Sequence, residues 1–172
     1  MKTIVAVDKK WGIGKNNDLL FSIPEDMKFF RETTRGKVVV MGKNTLLSFP
    51  GGKVLKNRIM NIVLSDVELP HQDGLTVCRS IDELRAEIAK YDTDDVFIIG
   101  GGMMYNQFCD NCDTAYITYV DADGDATVFF PNLDEKESWT LDAESEKLET
   151  NGYTIASART KTVIRSLFKY KE

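Results

Sequence analysis

The chain has 172 residues, 42% of them hydrophobic, and a net charge of −5. That is enough apolar material for one sizeable core and too little for two, so a single domain over residues 1–172 is expected. No run reaches the roughly 18 apolar residues of a membrane span, and "MKTIVAVDKKWG" lacks a signal-peptide h-region. The basic residues are scattered rather than clustered, which argues against a nucleic-acid partner.

In chain order, the first element is an unbroken apolar run, "TIVAV" (3–7). Similar runs follow at "KVVVM" (37–41), "NIVL" (61–64) and "DVFIIG" (95–100). Runs without alternation suit strands buried on both faces of a parallel sheet. Between them the periodicity predicts helices at 23–33, 44–48, 81–90 and 103–109. Ser80 and Glu83 have capping-box spacing at the start of the third, and Ser22 and Glu25 at the start of the first. After residue 110 the pattern alternates, in "TAYITYV" (114–120), "TVFFP", "SWTL" and "GYTIASARTKTVIRSLF". These segments read as antiparallel strands closing one sheet edge. The expectation is a three-layer α/β fold: a mixed, mostly parallel central sheet with antiparallel C-terminal edge strands and helices on both faces.

Three stretches could carry chemistry. In "SIPEDMKFFR", Ile23, Met27 and Phe30 share one helix face and Glu25, Lys28 and Glu32 the opposite one. Asp26 falls about 60° from the apolar centre, so it should be at least half buried. Two readings stay open for it. Acids favour the first turn of a helix through the macrodipole. A desolvated acid without a basic partner should instead have a raised pKa and suit a ligand offering N–H donors, such as an amidine.

In "VFIIGGGMMYNQF" a buried strand feeds Gly100, Gly101 and Gly102 and then a helix. Backbone can approach a phosphate closely there, and the helix N-terminus favours the anion. "VVVMGKNT" repeats the geometry with Gly42 and adds Lys43, so the pair of turns suggests two halves of a dinucleotide site. Asp121 lies where a Rossmann fingerprint puts its ribose acid, but Tyr105 stands where the third glycine should be. Cys109-x-x-Cys112 has no second such pair and His71 is the one histidine, so with Cys78 an odd set of reduced, non-ligating thiols is expected.

Together "IVAVDKKWGIGKNNDLL", "SIPEDMKFFR", "VVVMGKNT" and "FIIGGGMMYNQF" resemble the dihydrofolate reductase family. "LKNR" (55–58), "IVLS" (62–65), "AYIT" (115–118) and "FFPNLD" (129–134) support the likeness, which runs from about residue 3 to 155. The resemblance implies hydride transfer from NADPH to dihydrofolate and binding of antifolates; the want of a span or signal segment points to the cytoplasm, and with no contiguous apolar surface stripe left over a monomer is expected. It makes Asp26 the catalytic acid, backed by Thr118. Ile4, Val5, Ala6, Leu19, Met27, Phe30, Phe49, Leu55, Ile99 and Tyr105 would complete the substrate site, with Arg58 clamping the glutamate α-carboxylate. Ala6, Ile13, Asn17 and Leu19 would meet the cofactor, with Gly42, Lys43, Asn44 and Thr45 from one turn and Leu64, Ser65 and Arg79 from the neighbouring strand ends. Gly101, Gly102, Met103, Met104, Tyr105 and Gln107 would supply the rest; Gly100–Gly101 should be a cis peptide and residues 9–21 a mobile loop.

The chain departs from the family pattern at several positions. Leu20–Phe21 stands where Pro-Trp is common, Lys56–Asn57 replaces a proline-containing pair, and "RIMNIVLS" has one residue more than the pattern. Met103 replaces a frequent phosphate-binding arginine, and Asp66 follows Ser65 near the expected 2'-phosphate. A pyrimidine reductase of riboflavin synthesis and a non-catalytic pterin- or nucleotide-binding module are the alternative readings. The final segment "VIRSLFKYKE" extends past the match.

Overall fold

The computed structural model describes residues 1–146, 148–150 and 153–163, so "VIRSLFKYKE" lies almost wholly outside the described residues. In chain order the regular elements are β1 (Lys2–Val7), β2 (Gly12–Lys15), β3 (Asp18–Leu19), α1 (Pro24–Thr34), β4 (Val38–Gly42), α2 (Lys43–Ser48), β5 (Met60–Leu64) and β6 (Leu75–Cys78). There follow α3 (Ile81–Ile88), β7 (Val96–Gly100), α4 (Gly102–Phe108), β8 (Thr114–Val120), β9 (Val128–Phe129), β10 (Trp139–Glu144), β11 (Leu148–Thr150) and β12 (Tyr153–Val163).

The main sheet runs β10-β12-β8-β1-β7-β4-β5-β6, with β11 paired to β12. Its apolar runs are buried on both faces, as their lack of alternation predicts. Val38 and Val40 of β4 join Leu84, Met104 and Phe108 of α3 and α4 on one face. Val39 and Met41 join Phe30 of α1 and Leu46 of α2 on the other. Three layers result, and each fully buried aliphatic side chain contributes about 1.5–3 kcal/mol of transfer free energy.

Three expectations need correction. β8 is not an antiparallel edge strand: it runs parallel to β1 through six register pairs, from Lys2↔Thr114 to Val7↔Tyr119, and antiparallel to β12. Alternation reports that one face is wetter than the other and says nothing of strand direction. "TVFFP" does not close the main sheet either, because β9 pairs with β2 in a separate β3-β2-β9 sheet. That small sheet orders part of the expected loop, turning at Asn16 and Asn17 with φ of 51° and 62°. Ser22 is not the N-cap of α1 either: Ile23 takes that position and offers no side-chain cap bond. Ile23 is buried with Val120, so packing sets the helix start, while Pro24 at N1 sacrifices no hydrogen bond. The Ser80 cap does form, its Oγ accepting from Glu83 N at 3.1 Å.

Parallel pairing aligns the C-terminal ends of β8, β1, β7, β4, β5 and β6 along one edge of the sheet. In sheets of this kind ligands bind outside those carboxyl ends.

Candidate active site

Asp26 sits in the first turn of α1 and Thr118 near the end of β8, where Thr118 pairs in register with Ala6 of β1. The Thr118 hydroxyl donates to Asp26 Oδ1 at 2.5 Å. Burial pushes the Asp26 carboxyl above its ordinary value, and the Thr118 hydrogen bond only partly offsets this. A desolvated acid with one neutral donor suits a ligand bringing N–H groups.

Ile4, Phe30, Phe49, Leu55 and Ile99 gather in one cluster on the α1 side of the sheet. Met27, expected on the apolar side of α1, is 44% exposed, and Phe29 beside it 38%, so this helix face is not simply core. Val5 points to the opposite face, among Trp11, Ile13 and Tyr105, and any contact from it to a pterin is through main chain. Tyr105 is buried on that face and its hydroxyl donates to Ile4 O at 2.9 Å. Burial raises its pKa, with the Asp26 charge as the next cause.

Arg58 is held by a residue that sequence reasoning missed. Its Nε and Nη2 donate to Thr34 Oγ1 at 3.0 and 2.7 Å, Nη1 donates to Lys56 O at 2.6 Å, and the guanidinium lies 5.9 Å from the Phe30 ring centre. Burial, followed by the charge of Arg35, lowers the Arg58 pKa. Thr34 ends α1 and has no local sequence signal for this role; only the fold joins positions 24 residues apart.

The two glycine turns lie side by side, because β4 pairs with β7 and Met41 aligns with Gly100. Thr45 of α2 packs beneath the second turn: a Cβ on Gly100 would stand 3.2 Å from its Oγ1, and one on Gly101 3.4 Å away. Gly100 has φ 136°, a conformation side-chain-bearing residues avoid, and the Gly100–Gly101 peptide is cis as expected. A Cβ on Gly102 would stand 2.4 Å from Val128 Cγ1 of β9. The N-caps of α2 and α4 are glycines, so neither helix start at this edge is capped by its own N-cap side chain. A cradle that excludes side chains, flanked by two such helix starts and the Lys43 cation, fits a dinucleotide with its phosphates.

The other expected cofactor residues fall at the adjoining strand ends. Leu64 pairs with Gly42 and with Cys78, which puts Ser65 and Arg79 in sequence along the same edge. Asn44 is exposed in α2, and Met103 and Gln107 are exposed on α4. Met104 is 1% exposed, with its Cγ 3.5 Å from a Cβ built on Gly42, so its side chain packs behind that turn as core. Ile13 is in the core, Asn17 is at the β2–β3 turn, and Leu19 is 66% exposed on β3. The structure thus gathers the acid, the apolar walls and the glycine turns at one edge, and leaves Leu19 and Asn17 on an outlying hairpin.

Cys109 and Cys112 end α4 as free, buried thiols, raised to about 11 and about 12 by desolvation. Such groups are protonated and inert at neutral pH. Among the described residues no His, Cys, Asp and Glu cluster could hold a metal ion.

The sequence model of the family described as dihydrofolate reductase matches residues 1–161. A dihydrofolate reductase of Haemophilus influenzae is 33% identical over 139 residues, 81% of this chain and 82% of that one. One from Bacillus subtilis is 32% identical over 152 residues, 87% of both. The structure of the Enterococcus faecalis dihydrofolate reductase complexed with NADP(H) and RAB-propyl superposes with a TM-score of 0.80 at 30% identity, covering 95% of each chain.

Proposed function

The chain belongs to the dihydrofolate reductase family, and from that premise we propose that Asp26 is the acid of its active site. The enzyme reduces 7,8-dihydrofolate to 5,6,7,8-tetrahydrofolate with NADPH. NADPH, when bound, supplies the hydride. The half-buried Asp26 carboxyl, fixed by Thr118 beside the glycine turns, is the observation that carries the assignment.

Thr118 engages Oδ1, and we assign Oδ2 to the amino and ring N–H groups of the pterin. In that role Asp26 orients the heterocycle and promotes protonation of the ring nitrogen next to the hydride acceptor. Phe21 stands where the family commonly has tryptophan and packs instead with Ile23 and Val120, so it brings no indole N–H to that proton transfer. Ile4, Phe30, Phe49, Leu55, Ile99 and the partly exposed Met27 wall the pterin and benzoyl groups, and their apolar side chains displace water from a seated substrate. Arg58, pre-aimed by Thr34, meets the substrate's α-carboxylate. Gly42, Thr45, Gly101 and Gly102 approach the cofactor's phosphates by main chain, Lys43 and Ser65 face its 2'-phosphate, and Ala6, Tyr105 and Ile13 border the nicotinamide.

Family membership does not favour the pyrimidine reductase or the silent binding module. Among the described residues no helix is long and apolar enough to cross a membrane. The three unpaired cysteines support a reducing, cytoplasmic setting. We also take the working unit to be a monomer acting on small molecules alone.

The test follows NADPH absorbance with and without dihydrofolate, then with NADH in its place. Substrate-dependent loss of the NADPH band is expected. For the Asp26 assignment, unchanged turnover by an Asp26→Asn variant at neutral pH is the refuting result.

A further inference from the structure

The phosphate-facing end of the cofactor edge contains an acid that the proposed contacts do not use. Lys43 Nζ lies 2.5 Å from Asp66 Oδ1. Arg79 Nη2 donates to the main-chain oxygen of the same Asp66 at 2.8 Å. The Ser65 hydroxyl donates to Val67 O at 2.7 Å and accepts from Val67 N at 3.2 Å. Lys43 and Ser65, assigned to the 2'-phosphate, and the neighbouring Arg79 are therefore already engaged with the 65–67 turn. The Arg79 main-chain N–H also donates to Glu83 Oε2 at 2.7 Å, which brings a second carboxylate close by.

The local balance is then two cations against two anions. A ribose 2'-phosphate adds about 1.5 to 2 negative charges at neutral pH, by analogy with other phosphomonoesters. It must displace the Asp66 carboxylate from Lys43 or share that ammonium with it. A coenzyme with a free 2'-hydroxyl faces no such conflict, and a carboxylate can accept a hydrogen bond from that hydroxyl. We propose that Asp66 is a specificity-determining residue: an internal counter-charge on Lys43 that narrows the preference for NADPH over NADH. This rests on the reading of Lys43 and Ser65 as 2'-phosphate contacts. The Asp66 side chain is 79% exposed and that of Lys43 26%, so the pair is displaceable and its effect severalfold, not thousandfold. The Lys43 hydrogen bond also holds the Asp66 carboxyl below its ordinary value, which keeps the competing charge in place at neutral pH.

The experiment measures dissociation constants of NADPH and NADH for the full chain by quenching of tryptophan fluorescence, in the parent, Asp66→Asn and Lys43→Met. Asp66→Asn is expected to tighten NADPH about three- to tenfold and to leave NADH within about twofold. Lys43→Met is expected to weaken NADPH and spare NADH. If Lys43→Met does this while Asp66→Asn leaves the NADPH-to-NADH ratio unchanged, the phosphate reading stands and the counter-charge is overturned. Equal tightening of both coenzymes by Asp66→Asn overturns it as well. If Lys43→Met shifts both coenzymes alike, or neither, the underlying phosphate contact fails and the proposal falls with it.

Discussion

Two carboxylates sit at the ends of neighbouring elements and meet opposite fates. Asp8, just past β1, is 0% exposed, yet its Oδ1 accepts from the main-chain N–H groups of Lys10 at 2.8 Å and Gly12 at 2.7 Å, and its Oδ2 from Gly124 at 3.0 Å. Asp26 is less buried but receives a single hydroxyl. The more deeply buried acid is the better solvated one, with three amide dipoles standing in for water. Burial alone therefore does not mark a functional acid. A shortage of donors does, because a ligand can supply what the protein withholds.

The largest test is Asp26→Asn. Loss of the acid should lower kcat/KM at neutral pH by roughly 10²-fold or more, the usual worth of a positioned acid or base. The same change should stabilise the fold. The Asp26 pKa is raised in the native state, so between its ordinary and its native value the folded protein keeps a proton the unfolded chain has lost. Stability accordingly falls as pH rises through that window and stays lower above it. The variant escapes this, so its advantage in Tm is absent below the ordinary carboxylate range and opens as pH rises. A variant less stable than its parent at pH 7 would break the comparison.

Asp8→Asn should move stability the other way. The amide keeps one acceptor oxygen and turns an NH₂ group toward an N–H that had a partner, at a cost of about 2 kcal/mol. Denaturant titration should show a lower midpoint with an unchanged slope. Opposite signs for the two Asp→Asn changes at neutral pH are the core expectation. Equal signs would mean that donor count does not separate these acids.

Asp26 was legible in the sequence because helix periodicity alone places it beside Phe30, and the two glycine turns were legible because glycine is read directly. The all-buried strands followed from unbroken runs such as Val38–Met41. Strand direction was not legible: β8 alternates because its faces differ in burial, and its partner β1 lies more than a hundred residues away. Thr34 was hidden for a similar reason, since its link to Arg58 exists only after folding. Asp8 left half a signal. Its bonds to the N–H groups two and four residues on form a local turn that "DKKWG" could have suggested, whereas the Gly124 bond spans 116 residues. In the first helix turn tertiary packing overrode local pattern, because burying Ile23 against Val120 sets the cap one residue beyond Ser22.

The smallest expected effect sharpens the comparison most, because it alters donor supply without touching either acid. Thr118→Val keeps the shape of the side chain and removes the one hydroxyl that favours the ionised form of Asp26. The Asp26 pKa should rise further, and with it the pH at which activity declines, since kcat/KM reports the protonation state of the free enzyme's essential acid. At pH values where both proteins hold the proton, the rates should agree within about threefold, because general-acid chemistry of Asp26 is retained. Thr118→Ser restores the hydroxyl and should bring the descending limb back toward the parent position. A Thr118→Val profile that is merely scaled down at every pH, with its limb unmoved, would assign Thr118 a packing role and leave burial unopposed in setting the Asp26 pKa.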